Sequence, residues 1–214
     1  ARFGGATEAP LIQHSMHRFV PVETYGEAHP EYFALVDGVR RLDVPMGEPQ
    51  VCSTNPEVID IVTEAVLGEI REDPGTKVVS VSPNDNAFYC TCPACAAIDA
   101  REGTHMASHL HLVNAVAARV SQQYPEVRIG TLAYWHTRTP PEHMDVRPNV
   151  RIQFCTFETC ALHALDDSSC PPNAAIRGDL EGWLALTDDV WVWHYIANLH
   201  QLDLQRLTDG VRGA

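Results

Sequence analysis

VVSVSPNDNAFYCTCPAC, residues 78–95, passes from a buried strand to a polar corner and then to three crowded cysteines. Val78 to Val81 is a short β-branched run closed by Ser82-Pro83. That is the pattern of a strand buried on both faces, as in a parallel sheet. Asn84 and Asp85 come directly after it. Polar groups just past the C-terminal end of a buried strand are where α/β barrels and open α/β sheets carry their chemistry.

Working outward, the same unit recurs. Upstream, Ser53 to Glu57 reads as a helix start, with polar cap, proline and acid in order. Val58, Ile61, Val62, Ala65, Val66 and Ile70 then return at helical spacing, and Asp73-Pro74-Gly75 ends the run. Downstream, a helix is predicted from Ser108 to Tyr124, where Pro125 follows. A strand is predicted from Val127 to Tyr134 and another from Asn149 to Phe154. A helix from Pro172 to Leu186 leads to a last strand, Val190 to Trp193. Near the start, Pro10 to Val22 suggests one more strand around residue 12, with His14 at its end. His14 is a candidate pocket residue or an ordinary loop histidine. The stretch 30–41 reads as a small hairpin insertion turning at Asp37-Gly38.

Alternating helices and strands imply an α/β fold with a mostly parallel sheet and right-handed crossovers. A complete (β/α)8 TIM barrel takes about 250 residues, and this chain has 214. The expectation is a single domain over 1–214 that is an incomplete segment of such a barrel. A self-contained open sheet is the alternative.

The formal net charge is −13. With no Lys/Arg cluster, nucleic-acid backbone binding is excluded as a function class. No apolar run reaches the length of a membrane span, and no basic-then-apolar signal segment opens the chain. The seven cysteines admit three readings: disulfides, buried free thiols, or a structural zinc site on Cys90, Cys92 and Cys95. A zinc would draw its fourth ligand from Cys52, His105 or His109.

Polar residues follow each strand: Asn84 and Asp85; Tyr134, His136 and Arg138; Glu158; then His194, Tyr195 and Asn198. In a parallel sheet these share one rim. Asp85 and Glu158 then form a candidate carboxylate pair of the kind that cleaves glycosidic bonds, within roughly 12 Å of each other, a bound looser than the usual separations. Tyr89, Tyr134, Trp135, Trp193 and Tyr195 offer flat faces to sugar rings. Singly, each aromatic suits a core, and Asp85 suits a turn. The constellation carries the reading.

The segments HPEYFALVDG, CSTNPEV, VSVSPNDNAFYCTCPAC, TLAYWHTRTPP and VWVWHYIAN, with Cys155 to Glu158 between the last two, resemble a large bacterial family. It is often labelled a domain of unknown function and includes endo-β-N-acetylglucosaminidases acting on N-glycans. The similarity runs from about His14 to Asn198. It implies a (β/α)8 catalytic barrel within an exported, longer polysaccharide-processing enzyme. Asn84 and Asp85 match its Ser-x-Asn-Asp corner, the cysteines its Cys-x-Cys-x-x-Cys, and Tyr134 its Leu-Ala-Tyr strand end. Glu158 lies in its Cys-Ser-Ile-Glu-Cys segment, with the cysteine spacing one residue wider here. His194 stands where the family has Asp.

The activity so implied is retaining hydrolysis of N-acetylhexosamine glycans, with the substrate's acetamido group as an internal nucleophile. Asp85 and Glu158 are the catalytic candidates. His14, Asn84, Tyr134, Trp193, Tyr195 and Asn198 are the substrate-binding candidates. No cofactor is required for this chemistry. The rivals are a noncatalytic carbohydrate-binding domain and a zinc-stabilised α/β domain.

Overall fold

The structure, a computed structural model, describes residues 12–44 and 47–195. Two helical turns come first, α1 (Met16–Phe19) and α2 (Val22–Tyr25), then a 3-10 turn at Pro30–Tyr32. Strands β1 (Leu35–Val36) and β2 (Val39–Arg40) pair antiparallel. Asp37 and Gly38 between them have φ of 51° and 77°, the two left-handed residues that a type I′ hairpin turn requires.

Helix α3 (Pro56–Glu72) is capped by Asn55, whose Oδ1 accepts from the backbone N–H of Glu57 and Val58. Strand β3 (Val78–Ser80) follows, then α4 (Pro93–Glu102), α5 (Met106–Val120), β4 (Arg128–Ala133), β5 (Val150–Cys155), α6 (Pro171–Leu186) and β6 (Val190–Trp193). The four later strands form one parallel sheet in the order β3-β4-β5-β6. Among the described residues this sheet is open and closes no barrel. No helix among them is long and apolar enough to cross a membrane.

Strand alternation divides the sheet into two faces. Val79, Val81, Ile129, Ala133, Val150, Ile152 and Phe154 point to the helices and join one core with Val62, Val66, Leu110, Val113 and Trp183. The other face carries Val78, Ser80, Gly130, Leu132, Gln153 and Cys155. It is covered by the segment around Ile12, which packs with Val78, Leu132 and Cys155.

That segment corrects the strand expected near residue 12. Residues 12–15 pair with no strand by a backbone ladder. Side chains bridge them to the sheet instead: the Gln13 N–H donates to Ser80 Oγ, which donates to the Gln13 carbonyl, and Gln153 Nε2 donates to the Ile12 carbonyl. A buried polar strand face can thus hold an extended neighbour without ladder pairing. Helix α4 is a second difference, since no helix is expected over 93–102. Its marks are Pro93 at the first position and Gly103, at φ +70°, past the end, the usual proline-start and glycine-stop asymmetry.

Gly130 is where Ile12 seats on the sheet. A Cβ there would meet Ile12 Cδ1 and Cγ1 at 2.6 Å. Gly130→Ala should therefore destabilise by roughly 1–3 kcal/mol in urea unfolding through overpacking. Pairing it with Ile12→Ala should recover part of that loss in a double-mutant cycle. Strictly additive losses would mean that Ile12 does not rest on Gly130.

Candidate functional site

The rim past β3 is built from buried polar groups that hold each other. The Ser82 N–H donates to Ser15 Oγ, and the Ser15 and Met16 N–H groups approach the Ser82 carbonyl. Asn84 is 1 % exposed. Its Oδ1 accepts from the His17 N–H at 2.9 Å, and its Nδ2 donates to the Pro49 carbonyl at 2.8 Å. The Gln50 side chain bonds both the N–H and the carbonyl of Asn84 at 3.0 and 2.7 Å. Asn84 was a substrate-binding candidate. The structure engages its amide within the protein and turns it away from the cavity.

Next to this clamp, His14 and Asp85 face each other. His14 Nδ1 lies 2.6 Å from the Pro83 carbonyl. A carbonyl only accepts, so Nδ1 carries a proton. The other ring nitrogen, Nε2, then faces Asp85 Oδ1 at 3.7 Å, too long for a hydrogen bond as it stands. Closing the gap would let imidazole and carboxyl share one proton. Asp85 has 43 % of its side chain exposed, so it remains open to a ligand.

His14 and Asp85 border a cavity of about 210 Å³ on the sheet face away from the helices, with Gln13, Tyr134, Gln153, Cys155, Trp193 and Tyr195 around it. The ring of Tyr134 meets that of His14 edge-on at 5.8 Å, and Tyr195 lies 5.4 Å from Phe157. Burial, then the nearby Asp85, Tyr195 and Glu158, pushes the Tyr134 phenol up. Burial first, then Cys155, Asp85 and Glu158, pushes Tyr195 up to about 12. Both phenols therefore stay protonated and remain hydrogen-bond donors near neutral pH. Burial and Glu158 also push the Cys155 thiol up to about 12, so it is no thiolate nucleophile.

Glu158 follows β5 onto the same rim, close enough for its charge to act on both tyrosines. It does not line the cavity. Its Oε1 meets Arg138 Nη1 at 2.8 Å, and Arg138 in turn meets Asp179 of α6 at 2.6 Å. Glu158 Oε2 is buried with no hydrogen-bond partner. The structure thus brings Asp85, His14, Tyr134, Trp193 and Tyr195 together, and keeps Glu158 behind an arginine. Asn198 lies outside the described residues.

Gln13 and Gln153, two amides on the cavity wall, were missed. Their only signal was a polar residue at an inward position of an otherwise apolar stretch. Tyr89, expected as a sugar platform, stacks between His105 at 3.7 Å and His136 at 5.4 Å. All seven cysteines are unpaired. Two groups of them can hold a metal: Cys52, Cys90, Cys92 and Cys95, all buried, and Cys160, His163 and Cys170, more open.

The family described as "Domain of unknown function (DUF4838)" matches the chain over residues 1–205. The chain belongs to that family. No curated protein matches it.

Two buried histidines make the site region acid-sensitive. His109 Nε2 lies 3.0 Å from Thr131 Oγ1, and burial followed by the charge of His136 lowers it from 6.5 to about 4. Burial, then His105 and His14, lowers His136 from 6.5 to about 4 as well. Both pKa values fall on folding, so between those limits the unfolded chain binds more protons. Stability should be full above about 6.5 and decline as pH falls toward about 4, by on the order of 3 kcal/mol from His109 alone. Urea midpoints against pH for His109→Gln should show a shallower decline than the parent. An unchanged slope would contradict a neutral buried His109.

Proposed function

We propose that this member of the DUF4838 family hydrolyses glycosidic bonds in N-acetylhexosamine-containing glycans, with retention and with help from the substrate's own acetamido group. The observation that supports this reading is the rim cavity. One carboxyl group, Asp85, opens into it beside His14, opposite Tyr134, Trp193 and Tyr195. The second carboxyl, Glu158, is tied to Arg138.

A mechanism with two working carboxylates flanking the bond needs both in the cleft. Substrate assistance needs a protein acid and groups that position the acetamido. In the proposed sequence, the acetamido carbonyl oxygen attacks the anomeric carbon as the bond to the leaving oxygen breaks. Asp85, as the acid, gives that oxygen its proton. The resulting oxazolinium ion is opened by water, whose proton returns to the Asp85 carboxylate, and the starting configuration is restored. His14 becomes the positioning residue for Asp85 when the 3.7 Å gap between them closes around the bound sugar. The protonated phenols of Tyr134 and Tyr195 donate hydrogen bonds to the sugar, and the Trp193 ring covers its C–H face. Glu158 stays outside the cavity, paired to Arg138. The proposal extends to the fold and the compartment: the four parallel strands are consecutive staves of a (β/α)8 barrel in an exported enzyme.

A second reading, a noncatalytic glycan-binding domain, is favoured by one observation. Trp191 and Trp193 on β6 are 40 % and 41 % exposed, as in an aromatic binding platform.

Turnover of a chromogenic N-acetylglucosaminide and of an N-glycan by the full-length protein separates the two. Asp85→Asn should lower kcat by about 10²–10⁴ while retaining glycan binding, since a general acid has been removed. Tyr134→Phe should lose less. Glycan binding with no turnover by the parent protein would select the second reading. Near-parental turnover by a folded Asp85→Asn would remove Asp85 from the mechanism.

A further inference from the structure

Four cysteines from two separate stretches of chain, Cys52 and residues 90–95, meet beneath the β1–β2 hairpin. Cys52 comes from the turn before α3, and Cys90 from the loop after β3. Cys92 is the residue that caps the start of α4, and Cys95 lies in its first turn. All four are buried, and their sulfurs lie within 4.8 Å of one another. Cys52 Sγ and Cys92 Sγ are 3.7 Å apart, and none of the four is in a disulfide. A zinc ion with sulfur ligands at about 2.3 Å in a tetrahedron sets its sulfur–sulfur edges at about 3.8 Å.

The surroundings suit thiolates. The Leu35 N–H donates to Cys90 Sγ at 3.3 Å, and Thr54 Oγ1 lies 3.2 Å from Cys95 Sγ. Hydrogen bonds of this kind from outside the ligand set orient and tune metal-bound sulfur. Cys92 and Cys95 sit at the N-terminus of α4, where the helix dipole favours negative charge. Ala34, Leu35 and Val36 pack over the cluster and shield it from water. The nearby histidines are engaged elsewhere: His105 bonds Asp99 and His109 bonds Thr131.

We propose that Cys52, Cys90, Cys92 and Cys95 bind one zinc ion as a structural tetrathiolate site. Four protein ligands close the coordination sphere and leave no position for water or substrate, so the ion's role is to cross-link the fold. It joins the turn before α3 to the loop that starts at Asn84 and Asp85, with the hairpin packed over the junction. In effect the metal anchors the far end of the rim loop whose near end carries Asp85. The inference stands on the cysteine geometry alone and is independent of the reaction proposed above.

The test uses the full-length protein purified without chelators. Elemental analysis should find one zinc more per chain in the parent and in Cys155→Ala than in Cys52→Ala/Cys95→Ala. Cobalt substituted into the parent should give the sulfur-to-cobalt charge-transfer bands and intense visible bands of a tetrahedral thiolate site. Should the double variant fail to fold, mercurial titration of the parent decides: zinc should leave in step with modification of these four thiols. Removing the ion should raise protease cleavage within residues 84–92. Parent protein that holds no zinc and gives no cobalt thiolate spectrum would overturn the proposal. So would peptide mapping that finds these four sulfurs joined as disulfides.

Discussion

Asn84 stands just past β3 with its side-chain amide, its N–H and its carbonyl all bonded to other stretches of chain. Those partners are His17 and the adjacent Pro49 and Gln50, all far from Asn84 in sequence. A buried amide left unpaired would be destabilising by about 1–3 kcal/mol per group, so the three stretches must arrive together or not at all. Their arrival fixes where the backbone leaves the strand, and so where Asp85 points. The same zipping of Ser80 and Ser82 to residues 13–16 brings His14 to the Pro83 carbonyl and turns its free nitrogen to Asp85. The rim geometry therefore follows from satisfying polar groups, with the apolar core on the other face supplying the rigid base.

Charge within the cavity is then set by neighbours. Arg138 sits between Glu158 and Asp179 and holds Glu158 close to the cavity wall without admitting it. Burial first, and then the charges of Asp85 and Glu158, raise both phenols further above their ordinary range. The result is one exposed acid with a histidine behind it, facing donors and flat rings. Under the proposed function, such a site suits a neutral, hydroxyl-rich ligand, in keeping with the chain's net charge of −13.

The parallel strands are legible in the sequence because their apolar runs are short and rich in β-branched residues, with Pro83, Pro125 and Pro148 beside the first three. The predicted last strand, Val190 to Trp193, coincides with β6, and the others differ from the observed ones by a residue or so at their ends. The hairpin turn was equally plain, since Asp37-Gly38 has few other uses. Residues 12–15 misled because Ile-Gln-His-Ser beside apolar neighbours does not reveal that the sheet holds it through side chains rather than a backbone ladder. Asn84 misled for a related reason: a polar residue at a strand end looks the same in sequence whether it faces ligand or bonds inward. Glu158 follows β5, and nothing in the sequence couples it to Arg138 and Asp179. Cys52 was one of three proposed fourth partners for the later cysteines, and only the fold distinguishes it from His105 and His109.

The proposed function requires a sugar ring to sit in the rim cavity beside Asp85. A crystal structure of the full-length protein with a thiazoline mimic of the oxazolinium ion tests that directly. The bicyclic ring should lie in the cavity between Tyr134, Trp193 and Tyr195, with Asp85 within hydrogen-bonding reach of the anomeric oxygen position and Glu158 still paired to Arg138. A ligand seated away from Asp85, or held by a Glu158 that has left Arg138, would contradict it.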